Sequence, residues 1–236
     1  MTRQPASPQW RDDHGKALTD YPRPSVAVDV AVLTVAAGRL HVLTVPRPDG
    51  TPALPGSFLR PGERLADAAT RALATEAGLD GTAFHQLAMF DAPDRDDRGW
   101  VLSMAHGAAL PLHALPTDDP AATRLIPIDG RTVTERLAFD HAAMVANAVD
   151  DLRDRYRSRV DPSRLLPDEF TVFALRRLYE TVFGRPLPKD SFRRLVIDAL
   201  DATGRMSSGG SGRPAELFRR RPGTDMPAGA AGLLTD

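Results

Sequence analysis

The chain has 236 residues, 42% of them hydrophobic and 26% charged; that is enough apolar material for a sizeable core and excludes a wholly disordered polypeptide. Cysteine is absent, which excludes disulfides, thiolate zinc sites and cysteine nucleophiles, and the formal charge of −1 gives by itself no reason to expect nucleic acid or an anionic membrane. The longest nearly apolar run, Val26 to Ala37, is broken by Asp29 and too short to span a bilayer, and the opening residues lack an apolar run of signal-peptide length, so a cytoplasmic protein is expected.

In chain order, residues 1–24 are polar and contain proline, and a flexible arm is expected there. From Ser25 two β-branched runs, SVAVDVAVLTV and LHVLTV, flank Gly38 and predict a strand pair. Apolar and small residues at helical spacing predict a helix over 65–77, led in by Pro61-Gly62. Residues 84–90 and 101–110 read as strands joined by a charged loop, which makes a mixed sheet. A second amphipathic helix, from about Asp140 to Arg155, closes a first domain assigned to residues 25–156. Asp161-Pro162 breaks the pattern and opens a smaller unit, residues 157–221, with a helix N-capped at Asp168, a stop at Gly184 and a second helix beginning near Asp190. Residues 222–236, rich in Pro, Gly and Ala, are expected to be disordered.

The stretch Leu54 to Leu79, LPGSFLRPGERLADAATRALATEAGL, resembles the Nudix box, a loop-helix-loop that in that family binds a divalent metal and a diphosphate. Glu63, Arg71, Glu76 and Gly78 keep the family's anchor residues, whereas Ser57 replaces a glycine and Ala72 and Thr75 replace glutamates. A hard cation needs oxygen ligands, and positions 72, 75 and 76 share one helix face, so three family carboxylates become one. No metal site is therefore expected, with Glu76 and Glu63 the only candidates, and no cofactor is required; magnesium is not expected. Position 72 matches the family's frequent base, and weak or absent hydrolase activity is expected. The alternative for this stretch is a helix that packs on a sheet with Glu63, Arg71 and Glu76 solvated, or with Arg71 tied to Glu63 or Glu76. Arg60 is placed to add a guanidinium to the pocket.

The loop FDAPDRDDRGWVLSMAH, from Phe90, resembles the Arg-Asp-any-Arg loop of Nudix proteins that recognise ADP-ribose, with Arg95 and Arg98 as bidentate donors suited to diphosphate oxygens. AFDHAAMVANA, from Ala138, resembles a segment these regulators carry at their last Nudix helix, where His141 contacts ligand or takes a capping or buried hydrogen-bond role. The helix pair in the smaller unit resembles a helix-turn-helix, placing Lys189, Ser191, Arg193 and Arg194 at DNA. SSGGSGRPAELFRRR, from Ser207, looks like the wing of a winged helix, with Arg213 directed at a minor groove. Between Tyr156 and Thr224 fourteen Arg or Lys stand against eight Asp or Glu, a local charge of +6 that fits an electrostatic DNA footprint.

This order of features resembles the Nudix-related transcriptional regulators of NAD metabolism, the NrtR family. The resemblance implies an α/β (α+β) Nudix-like domain with a mixed sheet followed by a C-terminal winged helix-turn-helix. It also implies a homodimeric repressor on a palindromic double-stranded DNA operator, with ADP-ribose or a related NAD metabolite as effector. Arg60, Glu63, Arg71, Glu76, Arg95, Arg98 and His141 are the expected effector-site residues. The competing reading is a Nudix hydrolase of the ADP-ribose pyrophosphatase type, with Asp67 or Glu63 replacing the lost carboxylates; a third is a protein-interaction module.

Overall fold

The computed structural model describes residues 10–116, 119, 121–207, 214–227 and 229–234. Its elements are β1 (Ser25–Ala36), β2 (Arg39–Pro46), β3 (Pro52–Ala53), β4 (Gly56–Phe58), α1 (Leu65–Ala77), β5 (His85–Phe90), β6 (Val101–Ala109), β7 (Arg124–Asp129), β8 (Thr132–Val133), α2 (His141–Ser158), α3 (Val172–Phe183), α4 (Lys189–Val196), β9 (Leu200–Met206), β10 (Glu216–Arg220) and α5 (Ala230–Leu234). The principal sheet runs β5-β6-β1-β2-β7-β8, with β3 on β2 and β4 on β1. β1 pairs antiparallel with β2 and parallel with β6, so the sheet is mixed. The β1–β2 turn is the two residues Ala37 and Gly38, both at positive φ, as the twist of a tight hairpin requires.

Side-chain alternation along β1 builds two layers of core. Val28, Val30 and Val32 pack with Ala68, Ala69 and Leu73 of α1, whose small buried residues let that helix lie close to the sheet. Ala31 and Leu33 point the other way, toward Met144, Val145 and Val149 of α2. Asp29 shares this second face and is carried beneath the start of α2. Gly78 ends α1 in the left-handed conformation at φ 62°, its N–H returning to the Leu73 carbonyl.

The second core continues from α2 into the C-terminal unit without interruption. Tyr156 near the end of α2 meets Tyr179 of α3 at 5.3 Å between ring centroids, and Tyr179 meets Phe192 of α4 at 5.2 Å. Helix α2 thus serves as the third helix of the small domain, which completes its sheet with reciprocal hydrogen bonds between Phe170 and Phe218 at 3.0 and 2.9 Å. A boundary drawn at residue 156 divides an element that both units share.

Three local expectations change. The N-cap of α3 is Thr171, whose Oγ1 accepts from the Ala174 amide at 3.1 Å, whereas Asp168 is exposed beside Arg164. Within the tail, Met226 and Leu234 are buried; Arg157 and Arg185 donate to the Leu234 and Leu233 carbonyls, so the segment is held by backbone acceptors as well as by its few apolar side chains. In the arm, Arg11 bridges Ala17 and Leu18–Asp20 form a 3-10 turn.

Candidate functional site

The loop before α1 and the helix itself are tied by one ion pair. Arg71 donates from Nε and Nη2 to the two Glu63 carboxylate oxygens, each at 2.8 Å, and Nη2 also donates to the Phe58 carbonyl at 3.0 Å. Of the two partners open to Arg71 in the sequence, the structure selects Glu63. The Glu63 pKa falls to about 2 because of the Arg71 hydrogen bonds, reinforced by the Arg60 amide donating at 2.8 Å. Arg60 lines the cleft and makes no ion pair with a described residue. The carboxyl tip of Glu76 turns inward to accept the Gly56 amide at 3.0 Å; desolvation there, with the Asp29 charge added, raises its pKa despite that bond. Gly56 is required by close approach: a Cβ would lie 2.1 Å from Asp29 Oδ1 and 2.8 Å from the Val28 carbonyl.

A buried polar chain forms the floor. The Leu54 amide donates to His141 Nδ1 at 2.9 Å, which assigns the ring proton to Nε2, 3.3 Å from Asp29 Oδ1. Ser103 donates to Asp29 Oδ2 at 2.5 Å, and Arg95 lies 3.9 Å away. Burial works against the Asp29 carboxylate, but these donors outweigh it and leave its pKa below the ordinary value. Arg95, with its side chain 3% exposed, is engaged bidentately by Asp140 at 2.9 and 2.6 Å.

Toward solvent, Arg98 is bound to Asp96 at 2.9 and 2.7 Å but stays half exposed, its guanidinium 5.1 Å from the Phe58 ring and 5.0 Å from the Phe139 ring. Arg47 covers Phe139 at 4.3 Å. Phe139 has a φ of 51°, a conformation rare for a bulky residue and placed immediately before Asp140 and His141. Together these groups line a cleft of about 980 Å³. Arg60, Arg71, Glu76, Arg95, Arg98 and His141 all reach it, and Glu63 stands behind Arg71.

Asp29, Asp140, Phe58 and Phe139 were not singled out from the sequence. Asp29 had a signal, a lone carboxylate within a twelve-residue apolar strand. Phe139 had none, because its role depends on positive φ.

The donor set does not fit a divalent cation. Ala72 is fully buried and offers no oxygen, the Thr75 hydroxyl donates to the Arg71 carbonyl at 2.8 Å, and Glu63 is committed to Arg71. No cluster of three metal-ligating side chains occurs among the described residues.

In the small domain, α4 buries Phe192 and Val196 and presents Lys189, Arg193 and Arg194 outward, with Ser191 half-buried. None of those three cations pairs with a described residue. Other arginines of the unit have carboxylate partners: Arg205 and Arg219 share Glu169 at 2.9 and 2.5 Å, Arg176 and Arg177 share Glu180, Arg220 is held by Asp161 and Arg221 by Asp201. Lys189, Arg193 and Arg194 thus form a cluster of cations on α4 without ion-pair partners among the described residues, on a helix that also carries Asp190. Arg213 lies outside the described residues. No helix among the described residues is long and apolar enough to cross a membrane.

A mixed sheet between helices, an arginine-lined cleft and a fused winged helix define a two-domain protein of the Nudix and winged-helix type. Residues 23–144 match the NUDIX domain, and residues 162–220 match the NrtR DNA-binding winged helix domain. The ADPR responsive transcriptional repressor NtrR of Acinetobacter baylyi is 30% identical over 217 residues, covering 85% of this chain and 84% of that protein. The crystal structure of Shewanella oneidensis NrtR complexed with a 27mer DNA is similar at a TM-score of 0.71 and 27% identity, over 88% of this chain and 96% of that one. The ADP-ribose pyrophosphatase of Methanocaldococcus jannaschii is 34% identical over 88 residues, 36% of this chain and 50% of that enzyme. The chain belongs to the NrtR family.

Proposed function

We propose that the chain is an ADP-ribose-responsive transcriptional repressor of NAD-metabolism genes, which binds a palindromic operator as a homodimer and has lost Nudix hydrolysis. The observation that carries this reading is the single helix α2, which begins at His141 in the cleft and ends in the aromatic core that holds α4. In the cleft, Arg60 and Arg98 engage the diphosphate, and Phe58 and Phe139 flank a planar or sugar moiety. The cleft volume of about 980 Å³ falls at the upper end of the usual range for small-molecule sites. Glu63 and Arg71 brace the loop, and Arg95 and His141 fix the start of α2 through Asp140, Asp29 and the Leu54 amide. Lys189, Ser191, Arg193 and Arg194 face the major groove, and Arg213 serves the wing.

Coupling follows if ADP-ribose binds better to the setting of α2 in which the two recognition helices no longer match their half-sites. Such a protein works in the cytoplasm, beside the DNA it controls.

A mobility-shift experiment with DNA from upstream of the chain's own gene, with and without ADP-ribose, tests this reading. Retardation that ADP-ribose relieves is expected, and failure to retard any upstream DNA would overturn it. The second reading, a hydrolase, is favoured by the similarity to the archaeal pyrophosphatase; magnesium-dependent turnover of ADP-ribose at ordinary enzymatic rates would establish it.

A further inference from the structure

Phe173 is the most exposed of the large aromatic side chains among the described residues, at 65%. It stands on α3 opposite the buried stripe of Leu175, Leu178, Tyr179 and Val182, so the hydrophobic core does not account for it. Beside it lies a small, mostly apolar groove of about 270 Å³ that also includes Val172 and Phe218, between α3, the start of α4 and β10. Lys189 and Arg193 form its rim and pair with no described residue; Glu216 is its one acidic lining group. An apolar floor beside unpaired cations matches a polymer whose surface alternates apolar sugar faces with phosphates.

We propose that Phe173 is a DNA-contact residue that packs against a deoxyribose face of one strand while Lys189 and Arg193 take the adjoining phosphates. This rests on the reading of the chain as a DNA-binding regulator, and it assigns to α3 an apolar contact in addition to the charges of α4. In a helix-turn-helix the helix preceding the recognition helix crosses the backbone, the position Phe173 occupies. The contact carries no charge, so it adds affinity without releasing counterions.

The test is fluorescence anisotropy of the full chain on a labelled duplex that the wild type retards, repeated between about 50 and about 200 mM KCl. Phe173→Ala is expected to weaken binding roughly tenfold at every salt concentration, with an unchanged slope of log K against log salt. Lys189→Ala and Arg193→Ala are each expected to flatten that slope by about 0.9. Phe173→Leu retains most of the affinity, and the Tm of both Phe173 variants stays within about 2 °C of wild type because the site is exposed. Wild-type affinity in Phe173→Ala would overturn the proposal while leaving the regulator reading intact. A fall in Tm large enough to explain the lost affinity, or loss of self-association in place of DNA binding, would overturn it equally. A wild-type chain that binds no duplex at any salt would overturn both.

Discussion

Replacing Asp161 with alanine removes the polar centre that joins α2 to the winged helix. The residue is fully buried, and its carboxylate accepts from the Tyr156 hydroxyl at 2.6 Å, the Leu165 and Leu166 amides at 2.9 and 3.1 Å, and both Nε and Nη2 of Arg220, the former at 3.2 Å. Each neutral donor left dry costs about 1–3 kcal/mol, and breaking a buried ion pair by removing one partner costs about 3–5 kcal/mol. These costs overlap. Arg220 keeps the Leu166 and Pro167 carbonyls, and water entering the space left by the carboxylate satisfies part of the remainder. The expected loss is about 4 kcal/mol, a large fraction of a typical folding free energy. The φ of 41° gives alanine no compensating relief, whereas asparagine tolerates it and keeps an acceptor for the amides, so Asp161→Asn loses only about 2 kcal/mol. Urea unfolding followed by far-UV circular dichroism measures both values. A double-mutant cycle with Arg220→Leu should recover about 2 kcal/mol relative to additivity, since the second change removes the stranded cation. A loss below about 1 kcal/mol for Asp161→Ala with an unchanged m-value would refute the reasoning.

Three further outcomes are expected. Gly56→Ala forces β4 away from Asp29, costs about 1–3 kcal/mol and weakens ADP-ribose binding, which thermal melts and calorimetric titration read separately. Glu63 has a folded pKa of about 2 against an ordinary 4.5, so its contribution to stability is complete above about pH 4.5 and fades as the pH falls toward 2. Urea titrations across that window should show the stability difference between wild type and Glu63→Gln shrinking with acidity, and a difference independent of pH would contradict the pairing with Arg71. Arg98→Ala should weaken ADP-ribose binding about tenfold and also lower Tm, because the half-exposed guanidinium is the bidentate partner of the buried Asp96 carboxylate, which the change strands; a Tm equal to wild type would contradict that pairing.

What the sequence determined by itself was whatever depends on residue type at fixed spacing. Helix α1 begins and ends where its periodicity places it, and the strands 25–36 and 39–46 follow from β-branched runs around a tight turn. The basic helix-turn-helix was legible in the same way, although local pattern misplaced the cap of α3 by three residues, since either Asp168 or Thr171 can cap and only packing chooses. Strand β7 has a weak sequence signal because Pro127 interrupts its apolar run, yet residues 124–128 pair in register with β2, Pro127 opposite His41. Tertiary structure alone decided which partner each charge takes. Arg71 goes to Glu63 and Arg95 to Asp140, and Arg205 and Arg219, which enter the +6 of the smaller unit, share Glu169. It also decided that α2 belongs to both domains, because Tyr156 meets Tyr179 only after the chain has turned back on itself. Residue type and spacing set the periodicity of an element and narrow the nearby partners of a charge such as Arg71, whereas pairs such as Arg95 with Asp140 and His141 with Asp29 need groups far apart in sequence to meet, and only the folded chain brings them together.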